Sequence, residues 1–428
     1  MESPPGRRVT RRRFVETAGL GATAALAGCV DEANDLVAGS TRPLEVLHGW
    51  DEGDGAVAVR ALTDAFEEHA PAVETDFTAI EGGGNENLNT VVSYRLADGD
   101  PPSSFANWPG KNLRRYEGAL GSIDDVWAEN DFAAVHVDEA VDLHHQNGSF
   151  RAVPLGSHRL NNLFYNVELL EEAGVDPTGI TSLGALFDAM DAVAAETDAT
   201  PMTHAMANPW PTTQLWAAVL LGQQGYRAYV DFIERNGSEA AVRSAFETTA
   251  RILEDYVTYD AESLGLTASN NNVINGDAAF VHQGNWTAGT FATASDFEYG
   301  DGWGANAFPG TENMYTLHFD SFLYPGDNPT PERSKRWLAF VGSETAQVAF
   351  NRHKGSIPTR TDVDMSEFNE YLQSVAEDFE NAEHRPPTLQ HGLALAPEKV
   401  TALNRVVANT FMGPYDVDAA TSGFLDVV

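Results

Sequence analysis

Apolar positions alternate between two spacings along the first hundred residues of the folded part of the chain. A short β-prone run at Leu44 to His48 is followed by apolar residues three and four positions apart between Val59 and Phe66. A second β-prone run near 73–80 and a second helical stretch, apolar on one face from Leu88 to Leu96, repeat the pattern. A spacing of two indicates strands, and a spacing of three to four indicates helices. The alternation therefore predicts an α/β lobe with a largely parallel sheet.

The pattern changes after residue 150. β-prone segments between 150 and 164 restart it, and long helical stretches follow at about 181–196, 212–235 and 238–257. These stretches predict a second, helix-rich lobe. A chain of 428 residues with 43% hydrophobic residues is long enough to build two cores.

The first 29 residues combine an arginine cluster with a short apolar run. Arg11 to Phe14 precedes the weakly apolar residues 18–27, a run well short of the ~20 residues that cross a bilayer as a helix. Small residues then precede Cys29, the only cysteine of the chain. This layout predicts a twin-arginine signal peptide over 1–28 and a lipid on Cys29, with a polar tether within 29–42. We therefore expect the mature protein on the extracellular face of the cytoplasmic membrane, anchored through that lipid.

Acidic residues dominate the composition, with 63 Asp and Glu against 26 Lys and Arg. Residues 1–28 carry five arginines and two glutamates, so the rest of the chain keeps 21 basic and 61 acidic residues and a net charge of −40. Such a charge excludes nucleic acid as an expected partner. An acidic surface with only four lysines is typical of a halophilic host, where molar salt screens self-repulsion over ~3 Å. With its single cysteine in the lipidation motif, the mature chain has no internal disulfide.

The segment from Val153 to Asn166, with its continuation to Gly174, resembles the carbohydrate-type solute-binding proteins of ABC importers, above all their glucose-binding branch. Further stretches follow in the order of that family: Glu81-Gly82-Gly83-Gly84, Gly99-Asp100-Pro101-Pro102, Gly284-Asn285-Trp286, Phe308-Pro309-Gly310-Thr311, Asp320-Ser321-Phe322, Lys354 to Arg360 and His391-Gly392. Each stretch alone is a common turn sequence without functional content. Their joint order, over nearly all of residues 43–400, carries the resemblance. Asn285, where members often have Asp, and the run from Phe105 to Trp108 depart from the family pattern.

The resemblance implies an α/β, two-lobed periplasmic-binding-protein-like fold, with a ligand cleft between the lobes and several hinge crossings. It divides the chain into an N-terminal lobe of 43–157 plus about 322–353 and a C-terminal lobe of 158–321 plus about 354–428. It also implies a receptor that closes on a mono- or oligosaccharide, with glucose-like sugars favoured, and delivers it to an ABC permease and its ATPase. Together with the acidic composition, we expect this receptor to be haloarchaeal. We expect a monomer without catalytic activity, cofactor or metal.

Aromatic residues are the first candidates for a sugar site, because a sugar ring has apolar faces that pack on flat side chains. Trp50 follows the first strand, Trp108 follows a third predicted strand at 103–107, and Trp286 lies in a glycine-flanked turn. Strand ends are where open sheets bind ligands. We expect these three and Trp210 in the cleft, with plain core packing as the alternative. The helical surroundings of three other tryptophans predict core positions for them: Trp127, Trp216 and Trp337.

Polar candidates come from the same stretches, because the hydroxyl rim of a sugar needs fixed hydrogen-bond partners. Lys354 stands out because the chain has so few lysines, and Asp320 is placed to accept two hydroxyls. A residual surface lysine and a strand-end cap are their alternatives, and structural histidines are the alternative for the histidine candidates. The remaining candidates are Asn107, Lys111, His158, Asn161 and His391.

Other functions find less support in the sequence. There is no Gly-x-Ser-x-Gly elbow and no phosphate-binding loop ending in Lys-Ser or Lys-Thr. A glycoside hydrolase needs two suitably spaced carboxylates, and 61 acidic residues offer too many pairs for any to be informative. A receptor for another solute, such as a glycerol-phosphate, and a secreted glycoside hydrolase remain the alternatives. Asn147, Asn236 and Asn285 each begin a glycosylation sequon.

Overall fold

The computed structural model of the chain describes residues 42–82 and 85–428. The predicted signal peptide, Cys29 and residues 30–41 of the predicted tether lie outside the described residues. Among the helices of the described ranges, none combines the length and the apolar character needed to cross a membrane.

The first lobe takes most of its elements from the N-terminal part of the chain. In chain order they are β1 (Leu44–His48), α1 (Gly53–His69), β2 (Thr75–Ala79), α2 (Glu86–Asp98), β3 (Ser104–Asn107), α3 (Asp124–Glu129), α4 (Phe132–Val135), α5 (Asp138–His144), β4 (His145–Gln146), β5 (Ser149–Phe150) and β6 (Ala152–Arg159). A 3-10 turn at Gly110–Tyr116 follows β3.

The chain then builds the second lobe, whose elements are β7 (Asn162–Asn166), α6 (Val167–Glu172), α7 (Leu183–Glu196), β8 (Thr200–Thr203), α8 (Trp210–Ile233), α9 (Glu239–Asp255), α10 (Leu266–Ile274), β9 (Ala278–Gln283), α11 (Trp286–Phe291) and β10 (Trp303–Ala307). It returns to the first lobe with β11 (Leu317–Leu323), α12 (Pro331–Val341) and α13 (Glu344–Lys354). It ends on the second lobe with α14 (Glu370–Asn381), α15 (Pro397–Thr410) and α16 (Val417–Val427).

Each lobe has its own sheet. The strand order is β2-β1-β3-β11-β6 in the first lobe and β10-β7-β9-β8 in the second. In the first sheet β1 runs parallel to β2 and β3, whereas β11 is antiparallel to β3 and to β6. Four of these five strands, β1, β2, β3 and β6, therefore run in one direction, which confirms the predicted largely parallel sheet, and β11 runs the other way. The reason is that β6 carries the chain out to the second lobe and β11 carries it back, so the two strands run in opposite directions.

The strands β6 and β11 form the connection between the lobes. They pair from Leu323 opposite Ala152 to Leu317 opposite Arg159, with a register shift between Asp320 and Ser321. A bulge of this kind re-aims side chains, and here it lies next to a candidate site residue. The two predicted lobe boundaries, between 157 and 158 and between 321 and 322, fall inside these two strands.

Tryptophans anchor both cores, as the helical spacing predicted for three of them. Trp127 and Trp337 are buried in the first lobe, and Trp216 is buried in the second. Trp337 packs edge-on against Phe66 of α1, whose other apolar positions share that buried face. The core prediction for these three tryptophans is confirmed.

Candidate functional site

A cavity of about 180 Å³ lies between the lobes, beyond the carboxyl ends of β1 and β3. The first lobe contributes the loop after β1 and the loop after β3, and the second lobe contributes α10 and the N-terminal ends of α8 and α11. The rest of the wall comes from Asn85 before α2, from β6 and β11, from the end of α13 and from the stretch around His391. The location is the one that open sheets use for ligands.

Eight of the residues that the sequence proposed for a ligand site line this one cavity. They are Trp50, Trp108, His158, Trp210, Trp286, Asp320, Lys354 and His391. They come from positions up to 341 residues apart in the chain, between Trp50 and His391. The fold therefore brings these candidates to one place.

Two of the candidates outside this cavity are asparagines with structural partners. Asn107 ends β3 but is buried, and its amide donates to Asn89 Oδ1 (2.7 Å) and to Tyr116 Oη (2.8 Å). Asn161 donates to Thr311 Oγ1 (2.8 Å) in the turn between β6 and β7. In the part of the chain that the structure describes, neither side chain lines the cavity. Both amides are therefore engaged in hydrogen bonds within the protein.

Lys111 is the third candidate that does not line the cavity among the described residues. It lies on the 3-10 turn after β3 with an exposed side chain. Its backbone N–H donates to the carbonyl of Leu393 (3.1 Å). A chain that turns back immediately after β3 directs this lysine to the surface.

Tryptophan rings form the apolar part of the wall. Trp50 packs against Phe350, with ring centroids 5.1 Å apart, and Trp286 meets Trp210 edge-on at 6.3 Å. Gly284 makes the position of Trp286 possible, because a Cβ at residue 284 would lie 2.4 Å from the indole ring. No hydrogen-bond partner for Trp286 Nε1 is present among the described residues.

The floor of the cavity is a buried cluster centred on Asp320. Its Oδ2 accepts a hydrogen bond from His158 Nε2 (3.1 Å), and its Oδ1 accepts one from His318 Nε2 (3.3 Å). His158 Nδ1 lies 2.6 Å from the amide oxygen of Asn285. The His391 ring packs against the His318 ring at 4.4 Å. The cluster fixes three imidazoles and one carboxylate in a single arrangement.

Burial sets the charge of this floor. It lowers the pKa of His318, although hydrogen bonding to Asp320 opposes the change, and it lowers the pKa of His391 well below 6.5. Burial acts to raise the pKa of Asp320, but the hydrogen bonds from His158 and His318 outweigh it and hold that pKa well below 3.8. A neutral imidazole still donates one N–H, so His318 stabilises the carboxylate without carrying a charge. The result is an ionised Asp320 beside neutral His318 and His391.

The rim of the cavity carries acidic residues from the loop after β1 and the start of α1. Lys354 Nζ pairs with Asp54 Oδ2 at 2.6 Å, and Thr290 of the second lobe donates to Asp54 Oδ1 at 3.4 Å. Thr267, also of the second lobe, donates to Glu52 Oε1 at 3.2 Å. The rim is therefore where polar side chains of the two lobes meet.

Sequence reasoning missed several lining residues, among them Asp51, Glu52, Asp54, Asn270, Thr290 and His318. One of them carried a usable signal: His318 lies two positions before Asp320 in a strand, and such residues share a face. The rim residues carried no such signal, because only the approach of the two lobes brings Asp54 near Thr290.

The chemistry of the wall favours a neutral polar ligand. Four carboxylates line it, Asp51, Glu52, Asp54 and Asp320, against the single lysine, Lys354, which is already paired. An anionic ligand would face a net negative wall. The lowered pKa of Asp320 is the opposite of what a general acid for glycoside hydrolysis needs. Among the described residues, no group of three or more His, Cys, Asp or Glu is arranged to hold a metal ion.

Comparison with known proteins places this geometry in context. The family described as bacterial extracellular solute-binding protein matches residues 61–378. The xylose/arabinose-binding protein XacG of Haloferax volcanii is 43% identical, over 98% of this chain and 97% of that protein. The glucose-binding protein GlcS of Saccharolobus solfataricus is 22% identical, over 71% of this chain and 58% of that protein.

Solved structures share the fold at low identity. A protein studied for xylan utilisation by the thermophilic bacterium Caldanaerobius polysaccharolyticus superposes with a TM-score of 0.80 at 16% identity, over 90% of this chain and 100% of that chain. The bacterial solute receptor AcbH, described as exclusive for β-D-galactopyranose, gives a TM-score of 0.77 at 16% identity, over 90% and 97% of the two chains. These likenesses confirm the predicted two-lobed α/β fold.

Proposed function

The chain belongs to the bacterial extracellular solute-binding proteins, and from this premise we propose that it captures a monosaccharide outside the cell and delivers it to the permease of an ABC importer. The observation that carries the proposal is the cavity between the lobes, in which four tryptophans surround a buried cluster of Asp320 and histidines. Indole faces match the apolar faces of a sugar ring, and the carboxylate and imidazoles match its hydroxyl groups. Capture and release by lobe movement need no chemical step.

The size of the cavity supports a single sugar ring. Its volume of about 180 Å³ is below the ~300–1,000 Å³ of sites that enclose drug-sized ligands. The 43% identity to XacG, which is named for xylose and arabinose, makes an aldopentose our first candidate. Glucose, which the resemblance in the sequence favoured, is the second.

The charge of the wall argues against the two alternative functions. A phosphate-bearing solute calls for a cluster of free Arg or Lys side chains, whereas the one lysine of the wall is bound to Asp54. A hydrolase calls for a carboxylic acid that keeps its proton near neutral pH, a role that Asp320, the buried carboxylate of the floor, does not fill. Both observations favour binding of a neutral sugar without catalysis.

Lobe closure supplies the selectivity of the proposed mechanism. The ligand contacts Trp50 and Trp108 on one side and Trp210 and Trp286 on the other, so the full set of contacts exists only when the lobes approach. A hydroxylated ligand would also meet Trp286 Nε1, His318 Nδ1 and His391 Nδ1, buried atoms that lack a partner among the described residues. The lobe boundaries near 157, 321 and 353 remain predictions.

The delivery role agrees with the features of the N-terminal segment. We propose export through the twin-arginine route, a lipid on Cys29, and a monomer held near its permease by a tether of about 13 residues. A net charge of −40 after removal of residues 1–28 favours a host with molar salt, where the charges are screened.

A thermal-shift panel tests the proposed function. The mature chain in molar KCl is heated with D-xylose, L-arabinose or D-glucose, and D-mannitol serves as a control that has hydroxyls but no ring face. A ligand at 100 times its Kd adds about 2.7 kcal/mol, so we expect at least one of the three sugars to raise the melting temperature by a few degrees. An unchanged melting temperature with all three sugars contradicts the proposal.

A further inference from the structure

Six basic side chains lie close to one another on this otherwise acidic chain, and we call them the basic strip. Three of them, Lys111, Arg114 and Arg115, lie on the 3-10 turn after β3. Arg114 and Arg151 line the same surface groove. On the second lobe, α15, which carries Lys399, packs against that turn. Burial lowers the pKa of Lys399, and the nearby charges of Arg235 and Lys111 lower it further. The members of the basic strip are Lys111, Arg114, Arg115, Arg151, Arg235 and Lys399.

The side chains of the basic strip form no ion pair with an acid among the described residues, although Glu117 lines the groove with Arg114 and Arg151 and Glu398 lies near Lys399. Within the described part of the chain, no carboxylate lies within ion-pairing distance of any of its six side chains. The two lysines outside the strip are both paired, Lys335 with Asp125 and Lys354 with Asp54. In a chain with 63 acidic residues, positive charges left without a partner over one continuous region indicate a surface made for an anionic partner.

The two lobes both contribute to the strip. The 3-10 turn that carries Lys111 buries Leu113 in the first core, whereas the helix that carries Lys399 buries Leu403 in the second. Bringing Lys111 near Lys399 places like charges together, which is unfavourable until an anionic group lies beside both. A partner with carboxylates therefore binds more tightly when the lobes are in the arrangement described here than when they are apart.

We propose that the basic strip is the surface through which the sugar-loaded protein docks onto acidic side chains of its membrane permease. The proposal rests on the proposed function and deepens it, because it gives the permease a means of distinguishing the closed receptor from the open one. Arginine forks bind carboxylates in a bidentate geometry, and the strip offers such forks at Arg114, Arg115 and Arg151.

A molar ionic strength favours a protein partner over an anionic lipid surface. At molar ionic strength the Debye length is ~3 Å, and the potential of a lipid surface falls off within that distance. Only contacts at hydrogen-bond distance retain their strength under such conditions. Carboxylates fixed on a folded permease can match the strip from both lobes at once, whereas a lipid surface does not distinguish lobe positions.

The test compares two charge-reversed forms of the full chain. Arg114→Glu with Lys399→Glu removes one cation of the strip from each lobe. The control, Arg60→Glu with Arg336→Glu, makes the same change in net charge at exposed positions on α1 and α12. Binding to the permease–ATPase complex in nanodiscs is measured in molar KCl with D-xylose, L-arabinose and D-glucose present together. Protein-free vesicles with anionic lipid are measured in parallel.

We expect the strip variant to dock at least about tenfold more weakly than the wild type, because like charges then face each other at the contact. The control is expected to dock as the wild type does, and tryptophan fluorescence is expected to report the same sugar binding in all three forms. Equal docking of the strip variant and the wild type overturns the proposal, as does equal weakening by the control or equally strong strip-dependent binding to the vesicles. If the wild type binds none of the three sugars, it is the proposed function that fails, and the docking comparison still decides the role of the strip.

Discussion

The floor and the rim of the cavity are built in different ways. On the floor, Asp320 is 4% exposed and accepts hydrogen bonds from His158 and His318, which are buried with it. On the rim, Glu52 and Thr267 are exposed, and the contact between them joins the two lobes by one hydrogen bond of 3.2 Å. The floor is thus preorganised before a ligand arrives, whereas the rim can open and close.

This difference assigns affinity and gating to different residues. Preorganised, buried hydrogen-bond groups give the largest gains in binding, because their orientation is already fixed. An exposed hydrogen bond contributes about 0.5–1.5 kcal/mol or less, which suits contacts that must break at every cycle. Changes on the floor should therefore act on affinity, and changes on the rim should act on rates.

Asp320→Asn is expected to have the largest effect, a loss of sugar affinity of about 100-fold. The substitution removes the charge that accepts hydrogen bonds from His158 and His318, and a hydrogen bond to a charged group is worth about 1.5–3 kcal/mol. Isothermal titration calorimetry in molar salt measures the change. Asp362→Asn, at a carboxylate paired with Arg360 away from the cavity, is the control and should bind as the wild type does. Affinity within threefold of the wild type in a folded Asp320→Asn protein would contradict the role of the floor.

Trp286→Ala should weaken sugar binding by about 10- to 100-fold, because burial of a large side chain is worth about 1.5–3 kcal/mol. Trp286→Phe keeps a flat face and should retain most of the affinity. The same titration measures both variants, with Tyr259→Ala as the control, since Tyr259 is 98% exposed. Equal binding by the alanine and phenylalanine variants would show that the indole face is not part of the site.

Acidification should weaken the fold. Histidines with a folded pKa below 6.5 stabilise the protein above pH 6.5, and this contribution is lost as the pH falls from 6.5 toward the folded value. His318 and His391 are of this kind on the floor. In the second lobe burial lowers the pKa of His204 to about 4, which corresponds to about 3 kcal/mol by pH 4.

Urea unfolding between pH 7 and pH 4.5 measures this effect on stability. We expect the free energy of unfolding to fall and His391→Gln to make the fall shallower, whereas His145→Gln, at an exposed position, leaves the profile unchanged. A free energy of unfolding that stays constant over this range would contradict the lowered pKa of the buried histidines.

Thr267→Val should have the smallest effect, a change in affinity of less than about threefold, because it removes a single exposed hydrogen bond. Stopped-flow fluorescence is expected to show faster sugar release with an unchanged rate of binding. If affinity falls as much as in Trp286→Ala, the distinction between floor and rim is wrong.

The spacing of apolar residues was sufficient to predict the first strands and helices of each lobe and the buried positions of Trp127, Trp216 and Trp337. The reversed direction of β11 was not predictable from spacing, because it depends on the path of the chain between the lobes. The resemblance to solute-binding proteins is confirmed by the family match over residues 61–378.

The candidate site was predictable where residue chemistry is specific and was not where it depends on three-dimensional neighbours. Large aromatics and a rare lysine stand out in a sequence, and the fold places Trp50, Trp286 and Lys354 at one cavity. Asparagine serves binding and structure equally well, so Asn107 and Asn161 could not be distinguished from backbone-supporting residues. Asp54 lies on the rim because it pairs with Lys354 and accepts a hydrogen bond from Thr290, and both residues are distant from it in the sequence.

The most direct test of sugar capture in this cavity is a fluorescence titration of the mature chain in molar salt. Four of its eight tryptophans line the cavity, so a sugar that enters must change their emission. We predict a saturable change with D-xylose, L-arabinose or D-glucose and a Kd near 1 μM, which corresponds to about −8 kcal/mol. Emission that stays unchanged with all three sugars up to millimolar concentrations, in a protein that unfolds cooperatively, would contradict the account.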